Sequence, residues 1–401
     1  MLRKNVWFAC AAMAISGVLS AETGQFQAGP LSVERITAAA AAAGFKVREV
    51  TANIPAAVRS RFRFVPFDYD APQLGALREK YALEKLIAGA PDEWTAQLRL
   101  KEWVYERIPG GNPISSPSSA KEILELAAKG ERFYCTQYAI TYAECAQALG
   151  WQARKIGVDR RHGPDGMGST HHGAAEVWSN QFRKWVVMDS QSNLHFEKKG
   201  LPLSAWEIRA EWLKNSGAEV SHVVGIPPKA FNKNPAIVWW NRPDEDETAT
   251  YFWIYITDHT APGTGVRHIF PLDDAHTGAV WYQNDSPGSR VHIGYTKNLF
   301  MPTRRLEDAY WTVGVVEAQI VAAARGVIRL SLDSYDPNRT GYEASFDGKS
   351  WTRVADEKSL AWNLKTGWNT IRLHSAGWRG ITGPETAVVI HLDVEMPEPR
   401  P

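Results

Sequence analysis

The sequence predicts an α+β protein in which a helical amino-terminal region and a mixed central region precede an all-β carboxy-terminal region. Three observations predict this. Apolar residues recur at three- and four-residue spacing through much of the stretch from Ser32 to Leu149. From Ala153 the period shifts to short apolar runs joined by Gly-rich turns. Beyond Pro227-Pro228 only strand and turn signals remain. The 45 Lys plus Arg against 44 Asp plus Glu leave a formal charge of +1, so no global field would recruit nucleic acid or anionic lipid. With 44% hydrophobic and 22% charged residues, the 401-residue chain has the composition of a folded protein of two or three domains.

In chain order, Met1-Leu2-Arg3-Lys4 is a short basic start, Val6 to Leu19 a nearly uncharged apolar run, and Leu19-Ser20-Ala21 a small-residue ending. Together they predict a cleaved signal peptide over 1–21 and an exported protein, secreted or periplasmic. The run falls short of the ~20 residues of a membrane span, and no later segment reaches that length. Residues 22–110 read as a helical amino-terminal part of the central domain, with helices over the alanine-rich run Ala38–Ala43, over Leu74–Leu86 and over Glu93–Arg107, stopped at Ile108-Pro109-Gly110-Gly111. A further helix is predicted over Ser118–Lys129 with Gly130 as its stop, and another over Thr136–Leu149 closed by Gly150. Strands follow at Ala153–Val158, Gly173–Trp178 and Lys184–Asp189, the first two separated by the polar loop Arg160–Thr170. The core domain is placed at 111–228, a β-rich module at 229–315 and a β-sandwich at 316–396. Strand signals there include Ala236–Trp240, Thr250–Thr257, Arg290–Tyr295, Gly326–Leu332, Tyr342–Phe346 and Val388–Leu392.

The chemistry concentrates in Glu131-Arg132-Phe133-Tyr134-Cys135-Thr136-Gln137-Tyr138, which puts a cysteine where a loop becomes a helix. Free N–H groups and the helix dipole favour the thiolate at that position. Cys145 lies in the same helix, about 15 Å away at 1.5 Å per residue, which excludes a disulfide between the two and marks Cys145 as a packing residue. A thiol nucleophile needs a base, and the base needs an acceptor that orients it. The segment Thr170-His171-His172-Gly173-Ala174-Ala175-Glu176-Val177-Trp178, followed by Lys184-Trp185-Val186-Val187-Met188-Asp189, offers both. A turn centred between Asn180 and Gln181 sets His172 directly opposite Asp189, at roughly 4.5 to 5.5 Å between Cβ atoms. His171 then points to the other face, and a slip of one residue would exchange the two histidines.

These residues resemble the transglutaminase-like superfamily, relatives of the papain-type thiol enzymes. The resemblance spans about Leu74 to Leu213 and rests on the cysteine at a helix start, on Ala148-Leu149-Gly150-Trp151-Gln152-Ala153-Arg154, on a histidine four residues before Glu176-Val177, and on Trp185 four residues before Asp189. It implies an α+β cysteine-hydrolase domain followed by an all-β immunoglobulin-like sandwich region, and a triad of Cys135, His172 and Asp189. In that triad Cys135 attacks an amide carbonyl, His172 carries the proton and Asp189 holds the imidazole. The sequence departs from the family pattern at Phe133, where glycine is common, and at Ser190, where proline is common. Hydrolysis of an amide or peptide bond is the expected reaction. Cross-linking of protein glutamines and a peptide N-glycanase-like cleavage are the enzymatic alternatives, with peptide, protein or glycopeptide as substrate.

No metal or organic cofactor is called for. His162, Asp165, His171 and His172 lack the spacing of a zinc motif. The loop Arg160–Ser169 is positioned to fold over the cleft or to serve as a plain connection. The 17 tryptophans, among them Trp239, Trp240, Trp253, Trp281, Trp311, Trp351, Trp362, Trp368 and Trp378 of the β region, fit sandwich cores better than sugar platforms. A polysaccharide- or protein-binding role for the β modules is the non-catalytic alternative. Asn284-Asp285-Ser286 and Asn338-Arg339-Thr340 match glycosylation sequons.

Overall fold

The structure is a computed structural model that describes residues 27–62, 69–161, 171–226, 247–257, 268–277, 281–282, 290–291, 300–336 and 338–394. Residues 1–21, expected to be a leader, Pro227-Pro228, the strand expected at Ala236–Trp240, the sequon match at Asn284 and residues 162–170 of the polar loop lie outside the described residues. The α+β class holds, as does the strong β bias of the carboxy-terminal half.

Helix Glu93–Arg107 starts at Asp92, whose side chain accepts from Thr95 N at 2.7 Å, and its buried face carries Leu100, Trp103 and Val104. Ser119 caps helix Ala120–Ala127 in the same way. The helix expected over Leu74–Leu86 is two helices, Pro72–Lys80 and Leu83–Ile87, because Ala82 takes a left-handed φ of 49° between them. Helix Cys135–Ala148 is buried on almost every side, which suits its small and aromatic residues Ala139, Tyr142, Ala143 and Ala146.

These helices cover one face of a six-stranded sheet whose order is Phe300–Thr303, His268–Pro271, Trp253–Thr257, Ala153–Asp159, His172–Ser179, Lys184–Met188. All pairs are antiparallel except the first. Ala175, Val177, Val186 and Met188 face the helices, while Ala174, Val187, Ile156 and Val158 face a second core with Leu194, Phe196 and Ile208. Burial on both faces explains why these strands read as continuous apolar runs. Ile208 belongs to helix Ala205–Asn215, which opens with a Ser204–Glu207 capping box that sequence reading left unassigned.

Two of the expected boundaries change. Residues 229–315 do not stand apart as a module, since Trp253–Thr257, His268–Pro271 and Phe300–Thr303 extend the central sheet. Nor does all of 22–110 join the central domain. Strand Phe45–Asn53 pairs with Thr386–Val394, and helix Val33–Ala42 buries Ile36, Ala39 and Ala40 in the carboxy-terminal core. The alternation Phe45, Val47, Val50, Ala52, with a bulge between Val47 and Glu49, is a strand signal hidden by the alanine-rich helix before it. The sandwich itself packs the sheet Gly29–Pro30, Glu317–Ala324, Val327–Asp333, Leu360–Asn363 against the sheet Thr352–Arg353, Gly341–Ser345, Gly367–Ala376, Thr386–Val394, Phe45–Asn53. Ile320, Ile328 and Leu330 meet Ile371, Val388 and Ile390 between them. Trp253, Trp311 and Trp362 are core residues as expected, whereas Trp368 is 54% exposed with its ring edge against His391.

Candidate active site

The loop that leads into helix Cys135–Ala148 is pinned before the cysteine is reached. Phe133 is fully buried, its N–H donates to Pro109 O at 2.9 Å, and its carbonyl accepts from Gly111 N at 3.1 Å. Glu131 Oε1 accepts from Ser115 N at 2.7 Å and Ser115 Oγ at 2.6 Å, and the Tyr138 hydroxyl donates to Ile108 O. Cys135 thus occupies the first helical position with little freedom, and it is 6% exposed.

His172 opens the strand His172–Ser179, and its Nε2 lies 2.8 Å from Asp189 Oδ2. The hairpin register differs from the expected one by two residues. Ser179 pairs with Lys184 and Ala175 with Met188, which centres the turn between Gln181 and Phe182 and, continued, puts Asp189 opposite Ala174. A long-range contact braces the turn in this register: Glu93 accepts from Asn180 Nδ2 at 2.9 Å and from Gln181 N at 3.1 Å. A shift of two keeps each side chain on its face, so His172 still reaches Asp189, now diagonally. His171 goes elsewhere, its Nδ1 lying 2.7 Å from the Tyr255 hydroxyl.

The electrostatics follow this geometry. Burial alone would push the Cys135 thiol up, yet the hydrogen bond to His172, the charge of that imidazole and the N–H of Gly173 hold it below the ordinary thiol value. Burial opposes charge on His172 as well, but the Asp189 carboxylate and then Cys135 raise it well above the usual histidine value. Asp189 is held low despite its own burial by His172, by the Ser192 N–H and by Lys101. These directions all favour charge separation among the three, with the thiol drawn toward thiolate, the imidazole toward its cation and the carboxyl toward carboxylate. Cys145 is fully buried and burial raises its thiol, in keeping with a packing role.

Three residues near this group carried no sequence signal strong enough to single them out. Gly173 supplies an N–H to the thiol, and a Cβ there would sit 3.2 Å from Thr136 N. Gly157, paired with Gly173 across the sheet, leaves room for the Tyr255 ring, which a Cβ would meet at 1.9 Å. Lys101 is fully buried with Nζ 2.9 Å from Asn193 O. Among the described residues no group of three or more His, Cys, Asp or Glu is arranged to hold a metal ion, and no helix is long and apolar enough to cross a membrane.

Residues 80–190, which contain Cys135, His172 and Asp189, match the family described as the transglutaminase-like superfamily. Residues 80–190 form a transglutaminase-like domain. The transglutaminase-like superfamily is one of thiol-dependent acyl transfer and hydrolysis, and its members act on protein or peptide substrates. No curated protein matches the chain. Among solved structures, red sea bream transglutaminase is similar at 10% identity and a TM-score of 0.26, over 88% of this chain and 78% of that one.

Proposed function

We propose that the protein is a thiol enzyme that hydrolyses an amide or peptide bond through Cys135, His172 and Asp189. The observation that carries this reading is the 2.8 Å contact between Asp189 Oδ2 and His172 Nε2, on the same imidazole that draws the buried Cys135 thiol below its ordinary value. With Nε2 committed to Asp189, Nδ1 is the ring nitrogen left to face the sulphur.

The Cys135 thiolate attacks the carbonyl carbon, and the oxyanion is met by the Cys135 N–H, which at a first helical position has no acceptor within its own helix. His172 gives its proton to the leaving nitrogen as the C–N bond breaks, leaving a thioester on Cys135. The neutral imidazole then takes a proton from water, whose oxygen attacks the thioester, and the C–S bond breaks to release the acid and restore the thiolate. Asp189 keeps one imidazole tautomer and stabilises its cation throughout. The His172 side chain is 15% exposed, so solvent reaches the group that must activate the water. An amine in place of that water would make the same thioester a cross-linking intermediate.

Intact mass after limiting iodoacetamide near neutral pH tests the reading. Single labelling at Cys135 that is fast in the parent and slow in His172→Ala supports it. Labelling no faster than a free thiol, and indifferent to His172, overturns it. Screening of peptides and glycopeptides, with and without an added primary amine, then separates hydrolysis from transfer.

A further inference from the structure

Helix Glu93–Arg107 buries a primary amine that the proposed chemistry does not use. Lys101 is 0% exposed, and its Nζ donates to the Asn193 carbonyl at 2.9 Å and to His195 Nδ1 at 3.2 Å. Because Nδ1 of His195 accepts, its Nε2 carries the hydrogen and donates to Glu197 Oε1 at 3.0 Å. Trp94, from the same helix as Lys101, packs its ring edge on to His195 with centroids 5.2 Å apart. Among the described residues no carboxylate lies within ion-pair distance of Nζ. Asp189, Glu102 and Glu197 act on it only at longer range.

The place where that amine is spent is informative. Asp189 and Leu194 close a tight turn through Leu194 N to Asp189 O at 2.8 Å and Asp189 N to Leu194 O at 3.0 Å. Inside the turn, Asp189 Oδ1 accepts from Gln191 N at 3.1 Å and Ser192 N at 3.3 Å. The turn ends at Asn193, which has a φ of 52°, a left-handed conformation that asparagine adopts more readily than most residues. Its carbonyl is held from two sides, by Lys101 Nζ and by Gly225 N at 3.1 Å, and its amide reaches Glu102 Oε1 at 3.4 Å. A buried amine without a direct counter-ion weakens a fold relative to an apolar side chain of the same shape. Stability therefore gives no reason for a lysine here, whereas placement of the turn does.

We propose that Lys101 is a positioning residue: by holding the Asn193 carbonyl it fixes the turn that aims Asp189 at His172, and so acts on Cys135 through Asn193, Asp189 and His172. The inference rests on the thiol-enzyme reading above. Methionine keeps the stem of lysine and lacks the donor, so Lys101→Met removes the anchor and leaves the packing.

The experiment follows the rate of Cys135 alkylation by iodoacetamide between pH 5 and 9, by intact mass, with thermal melting on the same samples. The parent, His172→Ala, Lys101→Met and Lys101→Leu are compared as full chains. Lys101→Met is expected to slow labelling near neutral pH by roughly tenfold or more, the scale on which small misplacements act in catalytic sites. The pH midpoint of labelling is expected to move toward that of an ordinary thiol, and the melting temperature to stay level or rise. A role in packing alone would lower melting and leave the pH profile in place, which overturns the proposal. A Lys101→Met profile superimposed on the parent also overturns it, while a slow His172→Ala keeps the enzyme reading intact. Parent-like labelling in His172→Ala overturns both. If Lys101→Met fails to fold, Lys101→Leu, which also lacks a donor, carries the comparison with the same expected and opposing results.

Discussion

His172 and Asp189 meet through one oxygen each way, Nε2 to Oδ2 at 2.8 Å, while the second carboxylate oxygen of Asp189 is occupied by the amides of Gln191 and Ser192. The carboxylate is thus oriented by its own turn before it orients the histidine. Its charge is what raises the imidazole against burial, and the imidazole in turn lowers the thiol.

Replacing that charge by a neutral amide of the same shape separates orientation from electrostatics. Asp189→Asn is expected to leave the melting temperature near that of the parent, to shift the pH midpoint of Cys135 alkylation upward, and to cut any amidase turnover on the order of 10^3-fold or more. An Asn variant that labels and turns over like the parent would show that the carboxylate charge does not act on the thiol.

The glycine pair across the sheet makes a second prediction. A Cβ at Gly157 would sit 1.9 Å from Tyr255 Cζ, so Gly157→Ala must drive the ring out of place and away from His171. Overpacking of this kind costs about 1–3 kcal/mol. The cost is expected to shrink in a Tyr255→Ala background, where the ring is gone, and a urea denaturation double-mutant cycle reads the difference. Additive single and double effects would mean that the sheet, and not Tyr255, resists the methyl group.

Much of this arrangement was legible from local pattern. The apolar recurrence over Glu93–Arg107 defines one helix, and the loop-to-helix change before Cys135 marks the residue proposed as nucleophile. The apolar runs of the hairpin give the strands, and their parity selects His172 over His171 whether the turn is centred one residue earlier or later. What escaped depends on contacts distant in sequence. Glu93 braces the turn from another element, and Phe45–Asn53 finds its partner in Thr386–Val394 at the far end of the chain. Lys101 is one more charged residue on a helix until the Asn193 carbonyl is placed against it.

The buried pair Arg154–Glu176 ties three parts of the central domain together. Glu176 Oε2 takes Arg154 Nε at 3.0 Å and Nη2 at 2.7 Å, while its Oε1 accepts from Ala205 N at 2.9 Å and the Tyr310 hydroxyl at 3.2 Å. Arg154 Nη1 donates to Ala309 O at 2.6 Å, and the guanidinium lies over the Trp185 ring at 3.9 Å. With side-chain exposures of 4% and 0%, neither charge has water to fall back on. Glu176→Gln is expected to cost about 3–5 kcal/mol, the penalty of an uncompensated buried charge. The double change Arg154→Met with Glu176→Met is expected to cost less than either single change, read from denaturant midpoints at constant slope. Single variants that melt like the parent would mean that the pair is hydrated in solution.

Lys101 also makes a prediction about stability that needs no substrate. Burial lowers its amine to about 7, against the pull of Asp189, Glu102 and Glu197, whereas in an unfolded chain a lysine titrates near 10.4. Between those two values the unfolded chain holds the extra proton, so the free energy of unfolding rises with pH across that window, by up to about 1.4 kcal/mol per pH unit for one proton. Below about pH 7 both states are charged, and the full cost of burying the ammonium is present. Lys101→Met has no proton to lose. Its stability advantage over the parent is therefore expected to be greatest at or below pH 7 and to shrink steadily toward pH 9, because every other titrating group is common to both chains. Urea midpoints of the two proteins at pH 7, 8 and 9 measure the convergence. Parallel lines would mean that the amine titrates as it does in water and that the cost of burying it is met by contacts other than those with Asn193 and His195.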